Sequence, residues 1–254
     1  MQPFPSISII GTGNVAELFG NRLIDAGITI SSISGRNQER LQELSSRWKC
    51  TITSLDKIQG DLVLVAVSDD ATKAIIEQLN PNQIVLYTAG TIHITSITHP
   101  LLGVFYPLQT ISKNRISKLG NFPILVEYLQ PEVEKIVLLL AHALSTKVIF
   151  CSSTERNKVH CIAVFINNFS NHLIHLGQKI AKSEQIEFEL FSSLIQETFE
   201  KLTEMNAHDA QTGPARRNDL ETIYNHLNVL QEPEKRIYKN ITNSILSTYN
   251  HDQL

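Results

Sequence analysis

The chain has 254 residues, enough to bury a sizeable core as one large domain or two modest ones. Its 22 Lys plus Arg against 25 Asp plus Glu give no electrostatic reason to expect nucleic acid or an anionic membrane as partner. Cys50, Cys151 and Cys161 show no CxxC or His-paired metal spacing, their odd number suits a reduced compartment, and no apolar run reaches the roughly 18 residues of a membrane span.

The opening Met1-Gln2-Pro3-Phe4-Pro5 lacks the basic region of a secretory signal, so a soluble cytoplasmic protein is expected. Ser6 to Ile10 then reads as a strand, and Val15 to Asp25 has helical spacing with Leu18, Phe19, Leu23 and Ile24 on one side. Ile28 to Ser34 predicts a second strand, and Asn37 to Trp48 a helix carrying Leu41, Leu44 and Trp48. Asp61 to Val67 is a continuous aliphatic run, the pattern of a strand buried on both faces of a parallel sheet. Ala71 to Leu79 predicts a helix ended by Asn80-Pro81, followed by a strand at Gln83 to Tyr87. Leu102 to Phe105, Phe122 to Glu127 and Lys147 to Phe150 read as later strands, with a helix from Pro131 to Leu144 between the last two. Strands and helices alternating at this pace predict right-handed βαβ units.

Beyond Cys151 the strand signal stops. Thr154 to Lys182 predicts one long helix, with a stripe of Ile162, Ile166, Phe169, Leu173, Leu176 and Ile180. Helices follow at about Glu187 to Met205, Asp219 to Val229 and Pro233 to Tyr249. The expected architecture is an α/β Rossmann domain with a doubly wound, mostly parallel sheet at 1–152. An all-α substrate and dimerisation domain follows at 153–254.

The sharpest motif is Gly11-Thr12-Gly13-Asn14-Val15-Ala16, a GxGxxA between the first strand and the first helix. Gly11 permits the tight turn, Gly13 lets backbone approach a pyrophosphate, and Ala16 is small enough for close helix–strand packing. The helix beginning there offers free N–H groups and its positive dipole end to phosphate. Dinucleotide specificity is written at the end of the second strand, where a carboxylate would hold the ribose 2′-OH of NAD. The sequence there is Ser34-Gly35-Arg36-Asn37, with no carboxylate. An Arg at that place can pair with a 2′-phosphate, so NADP(H) is the expected cofactor.

Val67-Ser68-Asp69-Asp70 ends the aliphatic strand in the region that lines a Rossmann crevice. Helix capping before Ala71 is the stronger expectation for Ser68, Asp69 and Asp70, while backbone there can still touch cofactor. Thr88-Ala89-Gly90 ends the next strand with small residues that suit close approach of a ligand. The expected cofactor contacts are Gly11, Thr12, Gly13, Asn14, Val15, Ser34, Arg36, Asn37, Val67, Ser68 and Ala89.

In the helical half, His160, Asn167 and Asn171 fall at i, i+7 and i+11, on one side of a single helix otherwise dense in apolar residues. Polar groups on a buried helix require partners or a wet cleft, and His160 can exchange a proton near neutral pH. A core histidine bonded to backbone is the alternative. His172 and His175 have no evident third partner for a metal, so no metal site is expected. The loop Thr212-Gly213-Pro214-Ala215-Arg216-Arg217-Asn218-Asp219 can clamp a carboxylate or phosphate. Its alternative is Asp219 capping the next helix while the arginines form surface pairs. Tyr106-Pro107-Leu108-Gln109 follows a strand end and is expected to turn toward the crevice, with the Tyr106–Pro107 isomer left open.

Taken together, GTGNVA (11–16), SGRN (34–37), AVSDDA (66–71), YTAG (87–90), FYPLQT (105–110), NNF (167–169) and TGPARRND (212–219) resemble a family of Rossmann-like NADP oxidoreductases. That family carries a C-terminal domain of unassigned function, and the resemblance covers nearly the whole chain. It is related to pyrroline-5-carboxylate reductases, β-hydroxyacid dehydrogenases and deazaflavin-dependent NADP reductases. The resemblance implies a Rossmann domain followed by a helical one, paired into a homodimer through long C-terminal helices. It matches Arg217 and Asp219 to the family's charged positions. β-Hydroxyacid dehydrogenases use a Lys four residues before an Asn on the first long helix of the second domain. Asn168 fits that Asn, but the Lys position is Val164, so hydroxyacid oxidation loses its acid/base. Imine reduction needs no such Lys. The expected activity is NADP-dependent hydride transfer to or from a small imine or carbonyl compound. His160, Asn168 and Arg217 would lie on the substrate side, with Arg217 holding an anionic group. The alternatives are a non-catalytic NADP(H)-binding regulatory or assembly protein and hydride exchange with a deazaflavin coenzyme.

Overall fold

The computed structural model describes residues 4–254, so Met1-Gln2-Pro3 of the N-terminal reading lie outside the described residues. Eight strands build one sheet: β1 (Ile7–Ile10), β2 (Ile30–Ser34), β3 (Thr51–Ile52), β4 (Leu62–Val65), β5 (Ile84–Tyr87), β6 (Leu102–Pro107), β7 (Ile124–Tyr128) and β8 (Val148–Phe150). They stand in the order β3-β2-β1-β4-β5-β6-β7-β8. All neighbours run parallel except β6 and β7. Four helices accompany them: α1 (Asn14–Asp25), α2 (Gln38–Trp48), α3 (Asp69–Ile76) and α4 (Pro131–Leu144). This is the expected α/β doubly wound sheet.

The chain leaves β1 toward β2 and β3, then returns to the opposite side of β1 as β4, with Ile7 facing Leu62 and Ile10 facing Val65. Strand order reverses between β1 and β4. In open α/β sheets that switch point opens a crevice at the carboxyl ends of the strands. All four residues of β4 are buried, which the unbroken Leu-Val-Leu-Val run foretells. One apolar layer packs Phe19 of α1 against Phe105 of β6, ring centroids 5.0 Å apart. The other gathers Val63, Val65, Tyr87 and Val104. α2 begins at Asn37, whose side chain accepts from the Arg40 amide, and α4 begins on Pro131, where no intrahelical N–H is needed.

The helical character starts with α5 (Ser153–Ala163), which opens on a full capping box between Ser152 and Glu155. By residue contacts the chain divides into one unit ending at Asn168 and a second, Phe169–Leu254. α5 thus counts with the sheet. The second unit holds α6 (Ser170–Ser183), α7 (Ser192–Glu204), the short α8 (Ala207–Ala210), α9 (Leu220–Val229) and α10 (Glu234–Thr248). Within it Lys179 donates to Glu234 at 2.6 Å, tying α6 to α10.

Two expected helices are broken. The single helix over 154–182 is interrupted by a π-helical stretch, Val164–Phe169, between α5 and α6. Its wider i→i+5 turns break the uniform spacing on which the shared face of His160, Asn167 and Asn171 was expected. Nor is that helix buried, since Ile162, Ile166 and Asn167 are exposed. The helix expected over 187–205 starts as a 3-10 turn, Phe188–Phe191, before α7. Among the described residues the cis peptide is Glu232–Pro233, and Tyr106–Pro107 is trans.

Candidate functional site

Residues after β1, β2 and β4 line a cavity of about 690 Å³ at the switch point. Gly11 anchors it: its φ is +127°, its amide donates to Ser34 O at 2.8 Å, and a Cβ there would lie 2.0 Å from Ala66 O. Gly13 differs. Its φ of −79° suits any residue, and a Cβ there would meet nothing within 4 Å. No protein contact accounts for glycine at 13; open space over the backbone does. Gly13 is also the N-cap of α1 and offers no side-chain cap, which leaves first-turn amides for another acceptor. A dinucleotide pyrophosphate fits this cradle. Asn14 holds the turn to the far wall by donating to Ile111 O at 3.0 Å.

Of the expected cofactor contacts, Gly11, Thr12, Gly13, Asn14, Val15, Arg36, Asn37, Val67 and Ser68 line this cavity. Ser34 and Ala89 do not: both are buried, Ser34 holding the Gly11 amide and Ala89 packed in an apolar cluster. Arg36 is exposed and makes no hydrogen bond or ion pair among the described residues, so its guanidinium is free for a ligand. The neighbouring Asn37 side chain is already occupied by capping α2. Ser68 sits at the N-cap of α3 without the expected side-chain bond; its carbonyl takes the Thr72 hydroxyl instead. Asp69 accepts from the Thr91 hydroxyl at 2.7 Å. Ile75 and Ile111 also line the cavity and have no local sequence signal, because Ile111 arrives from a loop far along the chain.

A second polar group of residues lies at the carboxyl ends of β5 and β6. The Tyr106 hydroxyl and His160 Nδ1 are 3.0 Å apart, and His160 Nε2 makes no hydrogen bond among the described residues. Both close on Gly90, where a Cβ would stand 3.0 Å from His160 Nδ1 and 3.0 Å from the Tyr106 ring. Burial, and next the Asp69 carboxylate, raise the Tyr106 hydroxyl above the ordinary phenol value, which keeps it a proton carrier.

One turn before His160 lies Arg156, fully buried. It donates to Glu127 Oε2 at 2.5 Å, Gly90 O at 3.2 Å, Tyr87 Oη at 3.3 Å, Ser153 Oγ at 3.3 Å and also to Ile92 O. Glu127 in turn takes the Ser153 amide at 2.9 Å and hydroxyl at 2.6 Å. Sequence reading missed this cluster. Arg156 looks like any solvated helix charge when its partners other than Ser153 are 29 to 69 residues away.

The other residues expected on the substrate side have local contacts of their own. Asn168 is exposed and accepts from Asn167 Nδ2 at 3.4 Å. Arg217 is exposed, 3.9 Å from Asp219. Asp219 caps α9, accepting from the Thr222 amide at 3.1 Å and hydroxyl at 2.8 Å, and these bonds hold its carboxyl below the usual range. Arg216 donates to Asp209 O at 2.8 Å and lies 5.1 Å over the Tyr249 ring. The loop around Asp219 and Arg216 is thus engaged structurally. Among the described residues no three His, Cys, Asp or Glu side chains converge as metal ligands.

Residues 6–89 match the family described as NADP oxidoreductase, coenzyme F420-dependent, and residues 122–245 match the domain of unknown function DUF2520. A Bacteroides fragilis protein to which NADP oxidoreductase activity is ascribed is 30% identical, with a TM-score of 0.86 over 96% of this chain and 98% of that one. The chain belongs to this family of NADP oxidoreductases. As a member of it, the chain uses NADP. An imine reductase from Myxococcus stipitatus, solved with NADP+, shares the fold at 12% identity, with a TM-score of 0.63 over 97% of this chain and 93% of that one. A glutamyl-tRNA reductase from Crocosphaera subtropica is 36% identical over 91 residues, which are 34% of this chain and 21% of that protein. The match therefore spans about a fifth of that relative. No helix among the described residues is long and apolar enough to cross a membrane.

Proposed function

We propose that this NADP oxidoreductase reduces a small imine or carbonyl compound, with His160 and Tyr106 handling the proton. The observation that carries this is the hydroxyl–imidazole pair at 3.0 Å beside Gly90, at the carboxyl ends of β5 and β6. The nicotinamide, when bound, supplies the hydride. If Tyr106 donates to Nδ1, His160 carries its own proton on Nε2, the nitrogen without a partner among the described residues. As that proton passes to the substrate nitrogen or oxygen, the Tyr106 hydroxyl proton moves onto Nδ1, and the phenolate left behind is reprotonated from water. Imines fit because the Lys that hydroxyacid dehydrogenases use is replaced by Val164, whereas a relay from Tyr106 through the imidazole can still protonate a C=N nitrogen as hydride reaches its carbon.

The test is NADPH consumption against a panel of cyclic imines, 2-oxo acids and aldehydes, comparing the wild type with His160→Ala. Turnover of an imine or carbonyl substrate that the variant loses supports the reading. Inertness toward the whole panel with NADPH binding confirmed by calorimetry removes it.

The same reading includes a second copy of the chain as partner. The second unit buries only a small apolar cluster, Ala215, Ile223, Leu227 and Leu246, while Leu190 and Val229 are 71% and 73% exposed. Leu194, Phe199 and Leu202 along α7, and Met205 just after it, are also exposed. Patches of this kind on helices are covered by other protein. Light scattering on the whole chain is expected to give twice the monomer mass, falling toward one with Leu194→Glu. A monomer for the wild type at every concentration overturns the pairing.

A further inference from the structure

Arg156 and Glu127 form a buried ion pair whose side chains are 0% and 8% exposed. Removing two charges from water costs several kcal/mol per ion, and apolar residues of similar volume often serve stability as well or better. Stability alone therefore does not call for a guanidinium at 156. What the guanidinium achieves is geometric. Its donors reach Gly90 O and Ile92 O in the loop after β5, Tyr87 at the end of β5, Glu127 on β7 and Ser153 on its own helix. A planar guanidinium fork directs its N–H groups at several acceptors at fixed angles, which an ammonium cannot.

The two walls so joined are the two walls of the Tyr106–His160 contact. His160 lies four residues beyond Arg156, on the same face of α5. Gly90, whose carbonyl Arg156 holds, is the residue against which both His160 and Tyr106 pack. Glu127 fixes the first turn of the same helix through both the amide and the hydroxyl of Ser153. Rotation or sliding of α5 would break these bonds together with the imidazole–hydroxyl contact.

We propose that Arg156 is a positioning residue for the proton-handling pair, with Glu127 and Ser153 as its fixed counterparts. This rests on the reading of His160 and Tyr106 given above. Arg156 itself is sealed from solvent and touches no reacting atom; it acts by holding α5 and the Gly90 loop in one register.

Arg156→Met removes the fork and the charge while keeping much of the volume. The expected result is a kcat lowered about tenfold to a hundredfold, in the range that misplacement by 1 Å can cause, with the KM for NADPH unchanged. In a His160→Ala background the same substitution is expected to lower kcat no further, because the group it positions is gone. Ring-nitrogen NMR of the intact protein, with the His160 signals assigned from His160→Gln, provides a readout independent of turnover. Nδ1 is expected to show a hydrogen-bonded shift in the wild type and a free-imidazole shift in Arg156→Met. Should the Met variant not fold, Arg156→Lys keeps the ion pair but cannot span the loop carbonyls, and the same losses are expected in milder form.

An unchanged Nδ1 shift in the folded variant overturns the proposal, as does an equal further loss of kcat in the His160→Ala background. A protein inert toward every imine and carbonyl would remove the proposed activity, yet the NMR comparison would still decide what Arg156 does.

Discussion

The Tyr106 hydroxyl on β6 and the His160 imidazole on α5 meet at 3.0 Å across 54 residues of sequence. Gly90 makes the approach possible, since any side chain there would press on both rings.

If that pair moves the proton, its members fail in order. His160→Ala is expected to lower kcat about 10²-fold or more, the span of general acid–base catalysis, and Tyr106→Phe about tenfold. Neither changes the affinity for NADPH. Steady-state kinetics with the best imine of the panel measures both; full kcat in His160→Ala takes the imidazole out of the chemistry.

The two glycines of the turn separate folding from binding. Gly11→Ala is expected to lower the melting temperature sharply, because its Cβ would overlap Ala66 O at 2.0 Å from a backbone at φ +127°. Gly13→Ala meets only open space and should cost less than about 1 kcal/mol of stability. It should nonetheless weaken NADPH at least about tenfold, by occupying room meant for phosphate. Calorimetry alongside thermal melts checks this, and tight NADPH binding by Gly13→Ala would refute the cradle.

Arg36 is exposed and free of partners among the described residues, and a hydrogen bond to a charged group contributes roughly 1.5–3 kcal/mol. Arg36→Ala is expected to weaken NADPH by about tenfold or more while leaving NADH almost unchanged. Titration of each cofactor decides; equal losses would place the 2′-phosphate elsewhere.

Alkaline stability follows from two buried phenols. Burial raises both the Tyr87 and Tyr106 hydroxyls, with the Arg156 charge opposing. The folded state then holds these protons more tightly than the unfolded chain does. Their contribution is whole below about pH 10 and declines as pH climbs toward the folded-state values. Melts from about pH 8 to about pH 11 should show this fall, and a shallower one for Tyr87→Phe. Identical slopes would assign the loss to other groups.

The turn at 11–16 was legible because its requirements are local: a left-handed φ at Gly11, open space in place of a Cβ at Gly13 and a small residue at Ala16 against the strand. The aliphatic run of β4 declared its burial in the same way. Nine of the eleven expected cofactor contacts line the cavity, and the two that miss are strand-end residues turned into the core. The helical half was less legible. Periodicity placed its helices but passed over the π-helical Val164–Phe169, because that interruption depends on hydrogen-bond register rather than on residue type.

What the sequence determined by itself is the succession of strands and helices, the glycine turn at 11–16 and the charge at position 36, all set by residue types within a few positions. Tertiary structure alone decided that Arg156 is buried on Glu127 and that His160 meets Tyr106. Those contacts join strand ends to a helix brought back from far along the chain, and such pairing energies exist only once the sheet has closed the distance.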